Sequence, residues 1–308
     1  MTLISVAALL CQLSAALSSP MTRSATNDSL RARIERRIAE VPGATAGIAF
    51  RDLTRSDTVY LGADERFHAA STMKVPVMIE LFRRVDRGQM TLSQRITLKN
   101  EFSSIVDGTP YSLDAKDDSD SLVYGWIGSA VNVHDLLEHM ITRSSNLATN
   151  TLIGLVGAAK ANATAHELGA KDIQVLRGVE DDKAYAAGMN NTTTARDLAT
   201  LMAAIETGKA ASRASTDSMR AVLSRQEFND EIPAGLPAGT RVAHKTGQIT
   251  GHLHDAAIVY PRGRGPYVLV VLTRGIPDEK VARSLIADIS RLVYEHATQG
   301  ASASGGGR

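Results

Sequence analysis

The chain has 308 residues, which is enough for one large domain or for two lobes with a sizeable core. Its 34 Lys and Arg residues nearly balance its 33 Asp and Glu residues, so the composition indicates neither a nucleic-acid-binding surface nor an acidic tail. Cys11 is the only cysteine, which excludes a disulfide within the chain.

The two ends of the sequence differ from its middle. Residues 1–19 are apolar and end in small residues, a pattern typical of a secretory signal peptide, with an uncleaved anchor as the alternative. We therefore expect a secreted or periplasmic protein without stable membrane insertion after cleavage. Residues 298–308 have low complexity and are predicted to be disordered.

The elements between these ends alternate in type along the chain. A helical pattern over 28–41 is followed by a predicted β-hairpin over 45–53 and 57–63. Helical patterns then dominate from Ser71 to about Leu223, interrupted by a polar, acidic segment over 103–121 that is predicted to be a loop.

Three strands and a helix complete the chain. The strands are predicted at 241–248, 254–261 and 266–275. The last helix, within 278–296, is expected to place four apolar residues on one face, namely Val281, Leu285, Ile289 and Leu292.

This order predicts an α/β (α+β) fold with a five-stranded antiparallel sheet flanked by helices, plus an all-helical lobe. The terminal helices would cover one face of the sheet and the helical lobe the other. We assign the α/β lobe to 28–67 and 224–297 and the helical lobe to 68–223, so that one catalytic domain spans 28–297. The cleft between the lobes is the expected ligand site.

Three short motifs carry the chemistry. Ser71 and Lys74 form S-x-x-K where a helix is predicted to begin, Ser144 and Asn146 form S-x-N before a later helix, and K-T-G begins at Lys245 inside a predicted strand. S-x-x-K alone should occur about once in a chain of this size. All three in this order and in these contexts form a far more specific signal.

These motifs and their surroundings resemble the class A β-lactamase family of penicillin-interacting serine hydrolases. The resemblance covers nearly all of 28–297, including "ERF" and "RVDRGQMTLSQRI" around the first motif and "MITRSSNLATNTLI", with Asn150, around the second. The 36 positions from Ser144 to Glu180 match the family's spacing to its loop glutamate. The resemblance implies a β-lactamase/DD-peptidase-like fold and an acyl-serine mechanism without a cofactor.

Helix geometry and electrostatics favour the first step of this mechanism. Ser71 at a helix start has a backbone N–H free to face a developing anion, and Lys74 lies one turn further on the same face. Lys74 can take the serine proton only if its pKa is lowered, which the ammonium of Lys245 would promote. Gly247 would let its strand approach the ligand closely.

The resemblance implies the remaining roles. Ser144 would relay a proton to the leaving nitrogen, and Asn146 would hold an amide of the substrate side chain. Lys245 and Thr246 would bind the substrate carboxylate. The backbone N–H of Gln248 would join that of Ser71 as an oxyanion donor.

The sequence departs from the family pattern at the second motif and in the loop. Ser145 stands where the family usually has Asp, and Asp181 and Ala184 stand where Pro and Asn are usual. Glu180 would therefore either activate the hydrolytic water or only structure its loop. His254 falls where the family often has an arginine that binds the substrate carboxylate, and we expect it to assist there.

Three functions remain open from the sequence. The first is a β-lactamase acting through acyl-Ser71. The second is a DD-peptidase-like penicillin-binding protein that acts on D-Ala-D-Ala peptides and deacylates slowly, and the third is a non-catalytic cell-wall-binding module. We expect a monomer whose partner is a small β-lactam or cell-wall peptide, with no nucleic acid. We expect no metal, because His244, His252 and His254 lack a carboxylate or cysteine at familiar metal spacing.

Overall fold

The structure is a computed structural model that describes residues 20–299, with side chains described from residue 29. The predicted signal peptide with Cys11, and the predicted tail from residue 300 onward, lie outside the described residues. Among the described helices, none is both long and apolar enough to cross a membrane.

The helices in chain order are α1 (Pro20–Ala39), α2 (Lys74–Asp86), α3 (Val133–Thr142), α4 (Asn146–Val156), α5 (Ala158–Glu167), α6 (Asp182–Ala186), α7 (Ala195–Glu206), α8 (Arg213–Leu223) and α9 (Glu279–Thr298). The strands are β1 (Thr45–Asp52), β2 (Thr58–Leu61), β3 (Phe67–His68), β4 (Arg95–Thr97), β5 (Phe102–Ser103), β6 (Pro110–Tyr111), β7 (Ala130–Asn132), β8 (Thr192–Thr193), β9 (Arg241–Ile249), β10 (His252–Tyr260) and β11 (Tyr267–Arg274).

Five strands form one antiparallel sheet in the order β2-β1-β11-β10-β9. Successive side chains of a strand point to opposite faces. In β11, Leu269 and Val271 therefore join the core under α1 and α9, while Val270 and Leu272 join the core shared with the helical lobe. The sheet is buried on both faces, and the predicted architecture is confirmed.

The helical lobe is built around α2, whose residues from Lys74 to Phe82 are all buried. The start of this helix lies against β9, because a 3-10 turn over Ala70–Met73 precedes it and contacts that strand. The two-stranded pair β3–β8, with Phe67 opposite Thr193, links the segment before the turn to the helical lobe.

Some boundaries differ from the sequence predictions. Of the four residues predicted to share the apolar face of α9, Leu285 and Ile289 are buried and Leu292 is partly buried, but Val281 is exposed. The buried face runs through Ala282, Leu285, Ile286, Ile289 and Val293. One residue turns a helix by about 100°, so a stripe counted from the wrong residue points partly to solvent. The helix also continues through Thr298, where the disordered tail was predicted to begin.

Candidate active site

Two adjoining cavities lie between the lobes and meet at Ser71. The first, of about 650 Å³, also contacts Ser144 and the β9 residues Thr246 to Gln248. The second, of about 750 Å³, lies on the side of Glu180. Ser71 and Asn146 line both cavities, so the predicted nucleophile faces the whole cleft.

Ser71 is presented by a strained turn. Ala70, directly before it, has a φ of +45°, a conformation that non-glycine residues seldom adopt. The imidazole of His68 supports this turn, because its Nδ1 accepts the Ala70 N–H at 3.0 Å. His68 was not identified from the sequence, since a histidine two positions before a strained residue belongs to no motif.

Gly247 lies directly against this turn. A Cβ added at Gly247 would stand 3.1 Å from the backbone N of Thr72 and 3.2 Å from that of Ser71. Any larger residue would therefore push β9 away from the serine. The close approach puts the Gly247–Gln248 backbone beside the Ser71 N–H, the arrangement that an oxyanion site needs. The side chain of Gln248 is exposed and donates to Glu279 of α9 at 2.6 Å.

Lys74 is fully buried, and its ammonium makes three hydrogen bonds. Its Nζ donates to the Ser144 carbonyl at 2.5 Å, to Ser144 Oγ at 3.1 Å and to Asn146 Oδ1 at 3.0 Å. Burial, and next the charge of Lys245, hold the pKa of Lys74 well below its usual value. The described hydrogen bonds of this amine go to Ser144 and Asn146, and none of the described hydrogen bonds involves Ser71 Oγ.

Ser144 stands between the two lysines. Its Oγ lies 3.1 Å from Lys74 Nζ and 3.0 Å from Lys245 Nζ. Lys245 is also fully buried, and this burial lowers its pKa to about 7, against the opposing effect of Asp255 and Glu231. A hydroxyl bonded to two amines of lowered pKa can pass a proton between them.

Asn146 connects Lys74 to Glu180. Its Nδ2 donates to Glu180 Oε1 at 2.5 Å, while its Oδ1 accepts from Lys74. Burial raises the pKa of the Glu180 carboxyl; Asn146 and Lys74 lower it, and Asp118 and Asp117 raise it further. The Lys74 amine favours the ionised form of this carboxyl, but desolvation has the larger effect on its pKa.

The loop that carries Glu180 is clamped by amide groups. Asn191 accepts the backbone N–H of Leu176 and Arg177 on its Oδ1 and donates to the Arg177 carbonyl at 3.0 Å. Asn150 of α4 accepts the Val179 N–H at 2.6 Å and donates to the Val179 carbonyl at 3.0 Å. Asparagine thus secures the loop through backbone contacts.

The two unusual loop residues are structural. Asp181 is buried, caps α6 by accepting the Ala184 N–H at 3.1 Å, and binds Ser104 Oγ at 2.8 Å. Ala184 is fully buried. Ala184 has no polar side-chain group for a water, and both Asp181 carboxylate oxygens already accept hydrogen bonds from Ser104, Ile105 and Ala184.

His254 does not reach the cleft, so its expected contact with the substrate carboxylate is corrected. Its side chain is fully buried and lines neither cavity. Its Nε2 donates to the His68 carbonyl at 2.9 Å, and its Nδ1 accepts the Thr273 N–H at 3.2 Å. Burial lowers the pKa of His254 to about 4, so the ring is neutral and supports the nucleophile turn from behind. Spacing after K-T-G could not show this, because the β9–β10 turn decides which way the side chain points.

No group of described residues combines enough His, Cys, Asp or Glu side chains to hold a metal ion. His244 bonds the buried carboxylate of Asp255 through Nδ1 at 3.0 Å.

Comparison with known proteins agrees with this geometry. Residues 29–297 match the model of the Beta-lactamase enzyme family. The chain belongs to this family. It is 27% identical over 287 residues to Beta-lactamase AST-1 of Nocardia asteroides, covering 92% of this chain and 88% of that protein.

Solved structures of the family share the fold. PBP-A is 33% identical with a TM-score of 0.75, covering 87% of this chain and 95% of PBP-A. A PBP-A variant solved as an acyl-enzyme complex with penicillin G is 31% identical, with a TM-score of 0.74 and coverage of 87% and 96%. An ancestral class A β-lactamase is 29% identical, with a TM-score of 0.74 and coverage of 88% and 99%. The chain is therefore an enzyme of the class A β-lactamase type.

Proposed function

We propose that this enzyme hydrolyses the β-lactam amide through an acyl-Ser71 intermediate. The observation that carries the proposal is the shared position of Ser144 Oγ between the buried amines of Lys74 and Lys245, beside Ser71. The arrangement supports proton movement away from the serine and toward a leaving nitrogen, which is what acyl transfer requires.

In acylation, Lys74 takes the proton of Ser71 Oγ as this oxygen attacks the lactam carbonyl. The backbone N–H groups of Ser71 and Gln248 stabilise the oxyanion. The lactam C–N bond then breaks, and Ser144 gives its proton to the nitrogen and is reprotonated by a lysine. Lys245 and Thr246 hold the substrate carboxylate during this step.

In deacylation, Glu180 takes a proton from a water that attacks the ester. Asn146 donates a hydrogen bond to the Glu180 carboxylate. It can also hydrogen-bond an amide of the substrate side chain. The bond between Ser71 Oγ and the acyl carbon then breaks, the proton held by Glu180 passes to Ser71 Oγ, and the product acid is released.

The test separates the two chemical steps. Intact-mass analysis after penicillin treatment should show one adduct on the wild type and none on Ser71→Ala. A chromogenic cephalosporin then gives the acylation and deacylation rates. Glu180→Ala should acylate nearly normally but deacylate about 10²- to 10⁴-fold more slowly, the range of general-base catalysis. An adduct on Ser71→Ala would contradict the acyl-Ser71 proposal, and equal deacylation of wild type and Glu180→Ala would favour the DD-peptidase-like function.

We also propose that the enzyme acts outside the cytoplasm as a monomer. Support for export comes from the signal-peptide pattern of residues 1–19. N-terminal sequencing of the exported protein would locate the cleavage, and sedimentation would give the oligomeric state.

A further inference from the structure

The first turn of α4 is held by a carboxylate from outside the helix. Asp118 Oδ2 accepts the backbone N–H of Asn146 at 2.9 Å and of Leu147 at 3.0 Å, and lies 3.5 Å from Ser145 Oγ. Asp118 Oδ1 accepts the Asp120 N–H at 3.0 Å, which fixes the carboxylate in its own loop. Asp118 is buried, so these contacts are shielded from solvent.

The motif residue beside this contact is uncharged. Ser145 caps α4 by accepting the Ala148 N–H on its Oγ at 3.2 Å. A hydroxyl offers no charge to the positive end of the helix dipole, whereas a carboxylate does. In this chain the negative charge at the start of α4 comes from Asp118, 27 positions away in sequence.

The first turn of α4, which Asp118 holds, carries Asn146, the residue that links Lys74 to Glu180. Asn146 lies 3.0 Å from Lys74 Nζ and 2.5 Å from Glu180 Oε1. A tilt of this turn would move both contacts together. Misplacing a catalytic group by about 1 Å can cost about 10²-fold in rate.

We propose that Asp118 is a positioning residue for the reaction at Ser71, fixing Asn146 and, through it, the Glu180 carboxylate used in deacylation. The inference rests on the proposed function. It assigns a catalytic consequence to a loop residue that borders the first cavity and whose own contacts are with the start of α4 and with its own loop.

The experiment compares three changes at the contact with one change elsewhere. Asp118→Ala removes the carboxylate, and Asp118→Asn keeps an acceptor oxygen but removes the charge. Asp118→Asn with Ser145→Asp returns a carboxylate to the same helix start, at a position where Asp is a favoured cap. The matched control is Asp86→Ala, because Asp86 likewise holds the start of another helix, accepting the Ser212 N–H at 2.7 Å, and lines neither cavity.

Each variant is studied with the chromogenic cephalosporin and by thermal unfolding. Asp118→Ala should slow deacylation about 10- to 100-fold, and acylation less. Ser145→Asp should restore most of the loss caused by Asp118→Asn. Asp86→Ala should lower the unfolding midpoint while leaving both rates within about twofold of wild type.

The pH profile of deacylation separates positioning from simple destabilisation. The charge of Asp118 raises the pKa of Glu180, as do burial and Asp117, whereas Lys74 and Asn146 lower it. Asp118→Asn should therefore move the acid limb of deacylation to lower pH, which loss of a structural cap alone would not do.

Two results would overturn the inference while leaving the proposed function intact. One is a deacylation rate within twofold of wild type in folded Asp118→Ala. The other is an equal loss in both steps that Ser145→Asp does not restore. If wild type forms no acyl-enzyme with penicillin, the proposed function fails first and the inference fails with it.

Discussion

At the scale of single residues, backbone strain is concentrated at the cleft. Among the described residues, the non-glycine positions with positive φ are Ala70, Ser144 and Glu180. Each such conformation costs on the order of 1–3 kcal/mol and persists only when its surroundings impose it. Here the surroundings are specific contacts: His68 holds Ala70, both lysines hold Ser144, and Asn146 holds Glu180.

The lowered pKa of Lys245 predicts an alkaline limit to acylation. Its amine is charged below a pKa of about 7 and neutral above it, so its hold on the substrate carboxylate weakens as the pH rises. The contribution of Lys74 changes with pH in the opposite direction. Its amine can accept the serine proton only after it has lost its own proton, which is favoured as the pH rises. The profile of kcat/KM, which reports the free enzyme, should therefore be bell-shaped.

On the alkaline side, kcat/KM should fall by up to about tenfold per pH unit. Lys245→Arg keeps its charge at all these pH values, so it should be less active near neutrality but lack the alkaline limb. A penicillin hydrolysis profile from pH 5.5 to 9 tests this, and an unchanged limb in Lys245→Arg would assign the titration to another group.

At the scale of elements, the loop over 177–191 depends on α4. Asn150 binds both the N–H and the carbonyl of Val179, one residue before Glu180. The fit is tight at Gly178 as well, where an added Cβ would lie only 2.4 Å from Asn150 Oδ1. Helix and loop are thus placed as one unit.

We predict that Asn150→Ala slows deacylation by at least about tenfold while changing acylation little. The reason is that Glu180 loses its support, whereas Ser71 and Lys74 do not contact this helix position. The matched control is Asn162→Ala on α5, where the asparagine accepts the Val175 N–H at 2.8 Å outside both cavities. Equal effects of the two substitutions on deacylation would contradict the prediction.

At the scale of the whole molecule, His254 should make stability depend on pH. Its pKa is about 4 in the folded chain because burial outweighs the opposing hydrogen bond to the His68 carbonyl, and it is about 6.5 when unfolded. Between these values the unfolded state binds the extra proton. The free energy of unfolding should therefore fall as the pH drops from about 6.5 to about 4, by about 3 kcal/mol from this residue.

Denaturant unfolding at pH 7.5, 5.5 and 4.5 measures this slope. His254→Gln keeps a donor toward the His68 carbonyl but does not titrate, so it should give a shallower slope. A His254→Gln slope as steep as that of wild type would exclude this residue as the source.

Sequence periodicity predicted the main elements because most bury a face with a regular repeat. The sheet followed from the N-terminal hairpin and the strands after residue 240, and its two covering layers followed from the terminal helices and the helical middle of the chain. The pairs β4–β7, β5–β6 and β3–β8 were not predicted, since two or three residues are too few to show a repeat.

The residues of the three motifs line or closely support the cleft, since each lies at a helix start or in a strand that fixes its position. What the sequence missed depends on contacts between distant segments. Asp118 lies in an acidic run with no distinguishing neighbour, and only the fold shows that it meets α4. His254 was misplaced because a position after a motif does not state which face of a strand a side chain occupies.

The helix α9 begins at the cleft, where Ala282 and Arg283 line the first cavity, and crosses the back of the sheet. Its 20 residues span about 30 Å. Near its far end Glu295 pairs with Arg33 of α1, at 2.5 Å between Nη2 and Oε2. Both ends of the described chain therefore emerge on the side away from the substrate entrance. A fluorescent protein or surface tether joined after α9 should therefore leave substrate access unhindered, which would suit immobilisation of the enzyme.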